Sequence, residues 1–155
     1  MTETTDPLLP RFVGTLVGGA IGDALGRPAE TYPRADVARM FPDGLRDFVA
    51  AGHYANGPAG AITDDTQFTL TVAHWLAEAA GDGVPDGADL ARRYVALLPE
   101  LLGESPATRG ALERIAAGAD WRETGNDSGG NGVAMRSAPI GLRFHGDVAA
   151  MRECV

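Results

Sequence analysis

Thr63-Asp64-Asp65-Thr66 sets two adjacent carboxylates between two hydroxyls, after the Gly/Pro-rich approach Gly57-Pro58-Ala59-Gly60 and directly before a helical pattern. These are hard oxygen donors of the kind Mg²⁺ takes in near-octahedral geometry, usually with some retained water. The competing reading is structural: Thr or Asp at an N-cap, with acids in the first turn, satisfies orphan N–H groups and suits the helix dipole. For the tetrapeptide by itself capping is the simpler reading, and other segments reverse that order. Two neighbouring carboxylates also suit joint metal ligation better than flanking a scissile bond.

A second chemical segment is Asp127-Ser128-Gly129-Gly130-Asn131-Gly132, followed by Val133-Ala134-Met135-Arg136. A glycine-rich loop running into a helix exposes backbone N–H groups at the positive end of the dipole, which suits phosphate or pyrophosphate. Asn131 adds an amide that both donates and accepts, useful against ribose hydroxyls. A lone Gly-rich stretch is more simply a flexible turn. Here apolar, helix-compatible residues follow at once, which fits a loop anchored to a core.

The elements that must position these segments are helices separated by Gly/Pro/Asp loops. From Arg11 to Leu25, Val13, Val17, Ile21 and Leu25 recur every four residues, and so do Gly14, Gly18, Gly22 and Gly26. The four-residue period follows one helical face, so the apolar stripe reads as core and the glycine stripe as a surface closely approached by backbone or ligand. A short helix spans Ala35 to Met40, and irregular loop follows up to the Asp pair. Phe68, Val72, Trp75, Leu76 and Ala79 have the spacing of a core-facing helix, ended by Gly81-Asp82-Gly83. Leu90, Tyr94, Leu97, Leu98 and Leu101 mark a third helix, bent or ended near Pro99. Leu112, Ile115 and Ala116 mark a fourth, with Pro106 suited to its first turn. Period-2 alternation is almost absent, so the fold class is all-α.

Composition excludes several functions. A net charge of -8 over 155 residues argues against a nucleic-acid-binding patch, which needs a basic face. The single cysteine, Cys154, cannot form an internal disulfide, and the acidic N-terminus is no signal peptide, so a cytoplasmic location is expected. No stretch is apolar and long enough for a membrane span. Residues 1–10 read as a flexible tail. Among the histidines His53, His74 and His145, none has a partner pattern, and His74 reads as a satisfied structural residue. Asp23 reads as a cap or hydrogen-bond partner rather than a catalytic group.

Three segments together carry a family resemblance. Gly18-Gly19-Ala20-Ile21-Gly22-Asp23-Ala24-Leu25-Gly26-Arg27-Pro28-Ala29-Glu30 resembles the opening signature of the ADP-ribosylglycohydrolases, which include the dinitrogenase-reductase-activating glycohydrolases. Ile62-Thr63-Asp64-Asp65-Thr66-Gln67 resembles their first metal motif, and Ser128 to Pro139 their substrate loop and following helix. The resemblance implies an all-helical, orthogonal fold and a dinuclear Mg²⁺ centre, or sometimes Mn²⁺. It further implies hydrolysis of the glycosidic bond between ADP-ribose and a modified side chain, or action on a related ADP-ribosyl compound. Thr63, Asp64 and Asp65 match metal ligands, with the two aspartates also counted as catalytic. Glu30 matches an acidic residue near the metals, a base or a mobile gate. Ser128, Gly130, Asn131 and Gly132 match the loop that holds ADP-ribose, with Met135 and Arg136 supporting it.

The departure is at the C-terminal side. The family carries a second acidic motif there, whereas after Asn131 this chain has only Asp147 and Glu153 as acids, in no such motif. Met151 to Val155 reads as a helix without a stop signal. The expectation is the N-terminal portion of a single longer domain, truncated at its C-terminal side. A non-catalytic ADP-ribose-binding or structural module is the alternative function.

Overall fold

The computed structural model describes residues 6–52, 56–79, 81 and 83–154. His53 and residues 1–5 of the expected tail lie outside them. The described chain is helical: α1 (Leu9–Gly26), α2 (Arg34–Met40), α3 (Asp64–Glu78), α4 (Gly87–Ala96), α5 (Pro106–Ala116), α6 (Ala138–Arg143) and α7 (Val148–Glu153). Short 3-10 turns lie at Arg27–Ala29, Leu98–Glu100, Trp121–Glu123 and Ala134–Arg136. Among the described residues the β structure is one isolated antiparallel bridge, Ala51 to Gly57. The all-α expectation holds.

The core is built around α3. Phe68, Val72, Trp75 and Leu76 are buried on one face of it, as their spacing requires, and Tyr94, Leu101, Leu112, Ile140 and Phe144 close over them. Phe68 and Tyr94 meet edge to face, with centroids 4.9 Å apart at 83°, the arrangement the ring quadrupoles prefer. The Trp75 indole N–H donates to the Asp86 carbonyl at 3.2 Å, so its one polar atom is satisfied. Thr63, Asp86, Ser105 and Asp147 cap α3, α4, α5 and α7 with their side-chain oxygens. Pro99 sits in the 3-10 turn that ends the third helical segment, where a missing N–H breaks the α ladder.

The first helix departs from expectation. It begins at Leu9 with Pro10 in its first turn, so the last two residues of the expected tail are helical. Its inward stripe is Leu8, Phe12, Leu16, Ala20 and Ala24, one position before the stripe expected to be core. Val13, Val17 and Ile21 of that stripe are instead exposed, by 51%, 51% and 45%, as is Leu9 at 53%, and Leu25 alone is half-buried. Nor does any described backbone approach the glycine stripe, since a Cβ on Gly14, Gly18, Gly22 or Gly26 would meet nothing within 4 Å. The physical reason is that α1 is apolar on nearly every side between Phe12 and Gly22. Two four-residue stripes fit equally well, and periodicity cannot say which faces α3. His74, expected to be a satisfied structural residue, lies on the exposed side of α3.

Candidate active site

Asp23 organises the site from α1. Its Oδ2 accepts from the Thr63 amide at 2.9 Å, the Thr66 amide at 3.2 Å and the Thr66 hydroxyl at 2.5 Å, while Oδ1 accepts from the Thr63 hydroxyl at 2.8 Å. The Asp64 amide donates to the Leu102 carbonyl at 2.7 Å, and the Asp65 amide to Thr63 Oγ1 at 3.3 Å. Gln67 spans the same junction, donating to the Glu100 carbonyl at 2.7 Å and accepting from the Leu102 amide at 3.0 Å. The orphan donors at the start of α3 are therefore satisfied by Asp23, Thr63 and Leu102. None of these bonds uses the side-chain carboxylate of Asp64 or Asp65. Helix capping thus accounts for Thr63 and leaves the two carboxylates to other work.

Electrostatics points the same way. The Asp64 carboxyl is pushed up to about 7, first by burial and then by the charges of Asp65, Glu30 and Glu104. Asp65 is raised by burial and by Asp23. Glu30 is raised by burial, Asp65 and Asp23, against the opposing pull of Arg27. Five acids, Asp23, Glu30, Asp64, Asp65 and Glu104, from four segments of the chain thus feel one another, and the site carries surplus negative charge that a divalent cation would neutralise. By donor chemistry Asp64 and Asp65 fit such an ion. Thr63 fits less well, because its hydroxyl already donates to Asp23 and accepts from Asp65, leaving one lone pair. Among the described residues, no three His, Cys, Asp or Glu side chains converge as a ready cage.

Beside Asp65 lies a cavity of about 210 Å³. Leu16, Gly19 and Ala20 of α1 form one wall, Asp65, Thr66 and Thr69 of α3 another, and Asn131 with Met135 a third. Asn131 therefore shares a cavity with the acidic motif. Ser128, Gly130 and Gly132 do not line it. Ser128 and Gly130 are exposed and bond locally, the Gly130 amide to Ser128 Oγ at 3.3 Å and the Ser128 amide to Asn126 Oδ1 at 3.0 Å. The helix expected directly after this loop is a single 3-10 turn, Ala134–Arg136, and α6 begins only at Ala138. A full helix dipole is consequently absent behind the loop. Its anchoring to the core is present: the Met135 amide donates to the Asn131 carbonyl at 3.0 Å, and the Thr69 hydroxyl shares its proton between the Asp65 carbonyl at 2.7 Å and the Met135 carbonyl at 3.2 Å.

Arg27 is a participant that sequence reasoning missed. It is 6% exposed, and its Nη2 donates to the Asn56 carbonyl at 2.7 Å. A Cβ at Gly57 would overlap the guanidinium, so a glycine is what lets the chain pass there. The available signal was an arginine inside a motif three residues before Glu30, but its partner lies 29 residues away and no period links the two.

The chain is 36% identical to an uncharacterised Escherichia coli protein over 84% of its own length and 41% of that protein. It is 29% identical to the ADP-ribosyl-[dinitrogen reductase] glycohydrolase of Rhodospirillum rubrum, over 94% of this chain and 48% of the other. With the ADP-ribosylarginine hydrolase of Pseudomonas putida the identity is 32%, over 99% and 42% of the two chains. The chain thus spans less than half the length of these curated relatives. Residues 4–155 match the ADP-ribosylglycohydrolase family, and the chain belongs to it.

Proposed function

We propose that the protein acts in Mg²⁺- or Mn²⁺-dependent hydrolysis of the glycosidic bond between ADP-ribose and a modified side chain, or a related ADP-ribosyl compound. The observation that carries this reading is the start of α3: its backbone donors are satisfied elsewhere, and Asp65, next to Asp64, lines a cavity shared with Asn131. Names of the relatives, one acting on ADP-ribosylated dinitrogen reductase and one on ADP-ribosylarginine, support a protein-linked substrate.

Asp64 and Asp65 would hold the cation, which when bound supplies charge stabilisation to ribose hydroxyls and acidifies a water. The chain's own groups do the rest. Asn131 would orient the ribose through an amide that donates and accepts. Glu30, raised from its ordinary value by burial and by the charges of Asp65 and Asp23, is suited to take a proton from the attacking water as the anomeric carbon gains oxocarbenium character. The positive charge of Arg27 opposes that rise.

The test is release of ADP-ribose from an ADP-ribosylarginine substrate, with Mg²⁺, Mn²⁺ or chelator present. Activity that vanishes with chelator and with Asp65→Ala is expected. Metal-independent turnover would overturn the assignment. A second reading, a non-catalytic ADP-ribose-binding module, is favoured by the donor count, since Thr63 has one lone pair to offer. ADP-ribose binding in calorimetry without metal uptake would select it.

A further inference from the structure

We propose that Arg136 is a positioning residue whose guanidinium, laid over the Phe68 and Tyr94 rings, fixes Asn131 in the cavity wall it shares with Asp65. The guanidinium carbon lies 4.8 Å from the Tyr94 centroid and 5.3 Å from that of Phe68. Arg39, Arg92, Arg93, Arg109 and Arg122 each pair with a carboxylate, whereas among the described residues none stands within ion-pair distance of Arg136. Its charge therefore lies against two aromatic rings. Those rings belong to the core, where Phe68 is fully buried and Tyr94 nearly so.

The connection to Asn131 is short. Arg136 closes the 3-10 turn Ala134–Arg136, and the preceding residue, Met135, donates to the Asn131 carbonyl at 3.0 Å. The Thr69 hydroxyl shares its proton between the Asp65 carbonyl at 2.7 Å and the Met135 carbonyl at 3.2 Å, and Ser137 Oγ donates to the Val133 carbonyl at 2.6 Å. On the other side of Asn131, residues 125–130 are exposed. The side-chain bonds there, at Ser128 and Gly130, stay within the loop. Asn131 is thus held from its C-terminal side, by two hydrogen-bonded points and one cation over an aromatic pair. A planar guanidinium stacks on an aromatic ring in a way an ammonium cannot, so lysine is an incomplete substitute.

The measurement is amide hydrogen exchange at Met135, with the Val72 amide as an internal standard for the core. Arg136→Met is expected to reduce protection at Met135 roughly tenfold relative to Val72, and Arg136→Lys to restore part of it. An unchanged Met135-to-Val72 ratio in Arg136→Met overturns the proposal, even if that variant loosens the whole core. The functional consequence rests on the ADP-ribose reading above: Arg136→Met should weaken ADP-ribose binding in calorimetry by about tenfold. Equal affinity in the two proteins also overturns it. Wild-type protein that binds no ADP-ribose would sink the substrate reading alone, and the exchange ratio would still decide the role of Arg136.

Discussion

At the scale of single residues, one carboxylate on α1 takes four hydrogen bonds from Thr63 and Thr66, across 40 and 43 positions of sequence. Asp23→Asn keeps one acceptor oxygen and turns an amide donor toward N–H and O–H donors. Leaving buried donors unpaired costs about 1–3 kcal/mol each, so this variant should lose about 2–4 kcal/mol in urea unfolding and lose metal binding with it. Thr66→Val, which removes one hydroxyl bond, should lose about 1 kcal/mol. Asp64 gives a pH prediction. Its folded carboxyl titrates about 7 against an ordinary 3.8, so the folded state binds the proton more tightly than the unfolded one. Its contribution to stability is complete below the unfolded value and is lost as pH rises through the folded one. Metal-free protein should therefore lose stability from pH 4 to pH 7, by at most about 1.4 kcal/mol per unit. Asp64→Asn should flatten that slope, and a saturating divalent cation should remove it. Urea midpoints at pH 4, 5.5 and 7 provide the check, and a wild-type slope matching that of Asp64→Asn would show the carboxyl to be unstrained.

At the scale of elements, α3 is both the core of the fold and the platform of the site. Phe68, fully buried, packs on Tyr94 and lies beneath Arg136. Phe68→Ala should cost about 3–5 kcal/mol, as large-to-small changes at filled positions do, and should loosen the turn at Ala134–Arg136 more than α5. α3, α4 and α5 were legible because each has one apolar stripe opposite polar residues, with Thr63 marking the start of α3 and Pro106 that of α5. α1 was legible as a helix but not in its orientation, because Val13-Val17-Ile21 and Phe12-Leu16-Ala20 are equally apolar stripes. Thr63, Asp64 and Asp65 stood out through local chemistry. Asp23 was read as a hydrogen-bond partner, but the threonines it holds were not, and Arg27's hold on Asn56 was missed altogether. Both links cross long stretches of sequence with no period to mark them. The short 3-10 turn after Gly132 escaped for another reason: Val133 to Arg136 are residues with acceptable helix propensity, and the packing of Met135 and Arg136 on α3 decides their geometry.

At the scale of the whole molecule, surface and sequence disagree in a useful way. A compact folded chain of 16.1 kDa exposes about 7,400 Å², and this one exposes 9899 Å². The outer face of α1 belongs to the excess: Leu9, Val13, Val17 and Ile21 are each about half exposed along one stripe, with no charged residue from Phe12 to Gly22. Contiguous apolar surface of that kind drives association or dye binding. The opposite face carries Ala24, which is 4% exposed at the level where Asp23 joins α3. The two faces should answer the same substitution in opposite ways. Ala24→Asp buries an unpaired charge and should cost more than about 3 kcal/mol. Val17→Asp in the isolated 155-residue chain should stay within about 0.5 kcal/mol of wild type while reducing binding of an apolar dye and self-association in light scattering. Urea unfolding at two protein concentrations distinguishes the alternatives. If Val17→Asp lowered the midpoint by more than about 1 kcal/mol, and more so at the higher concentration, the outer face of α1 would be buried between copies of the chain in solution. Its exposure would then be a property of the single chain alone.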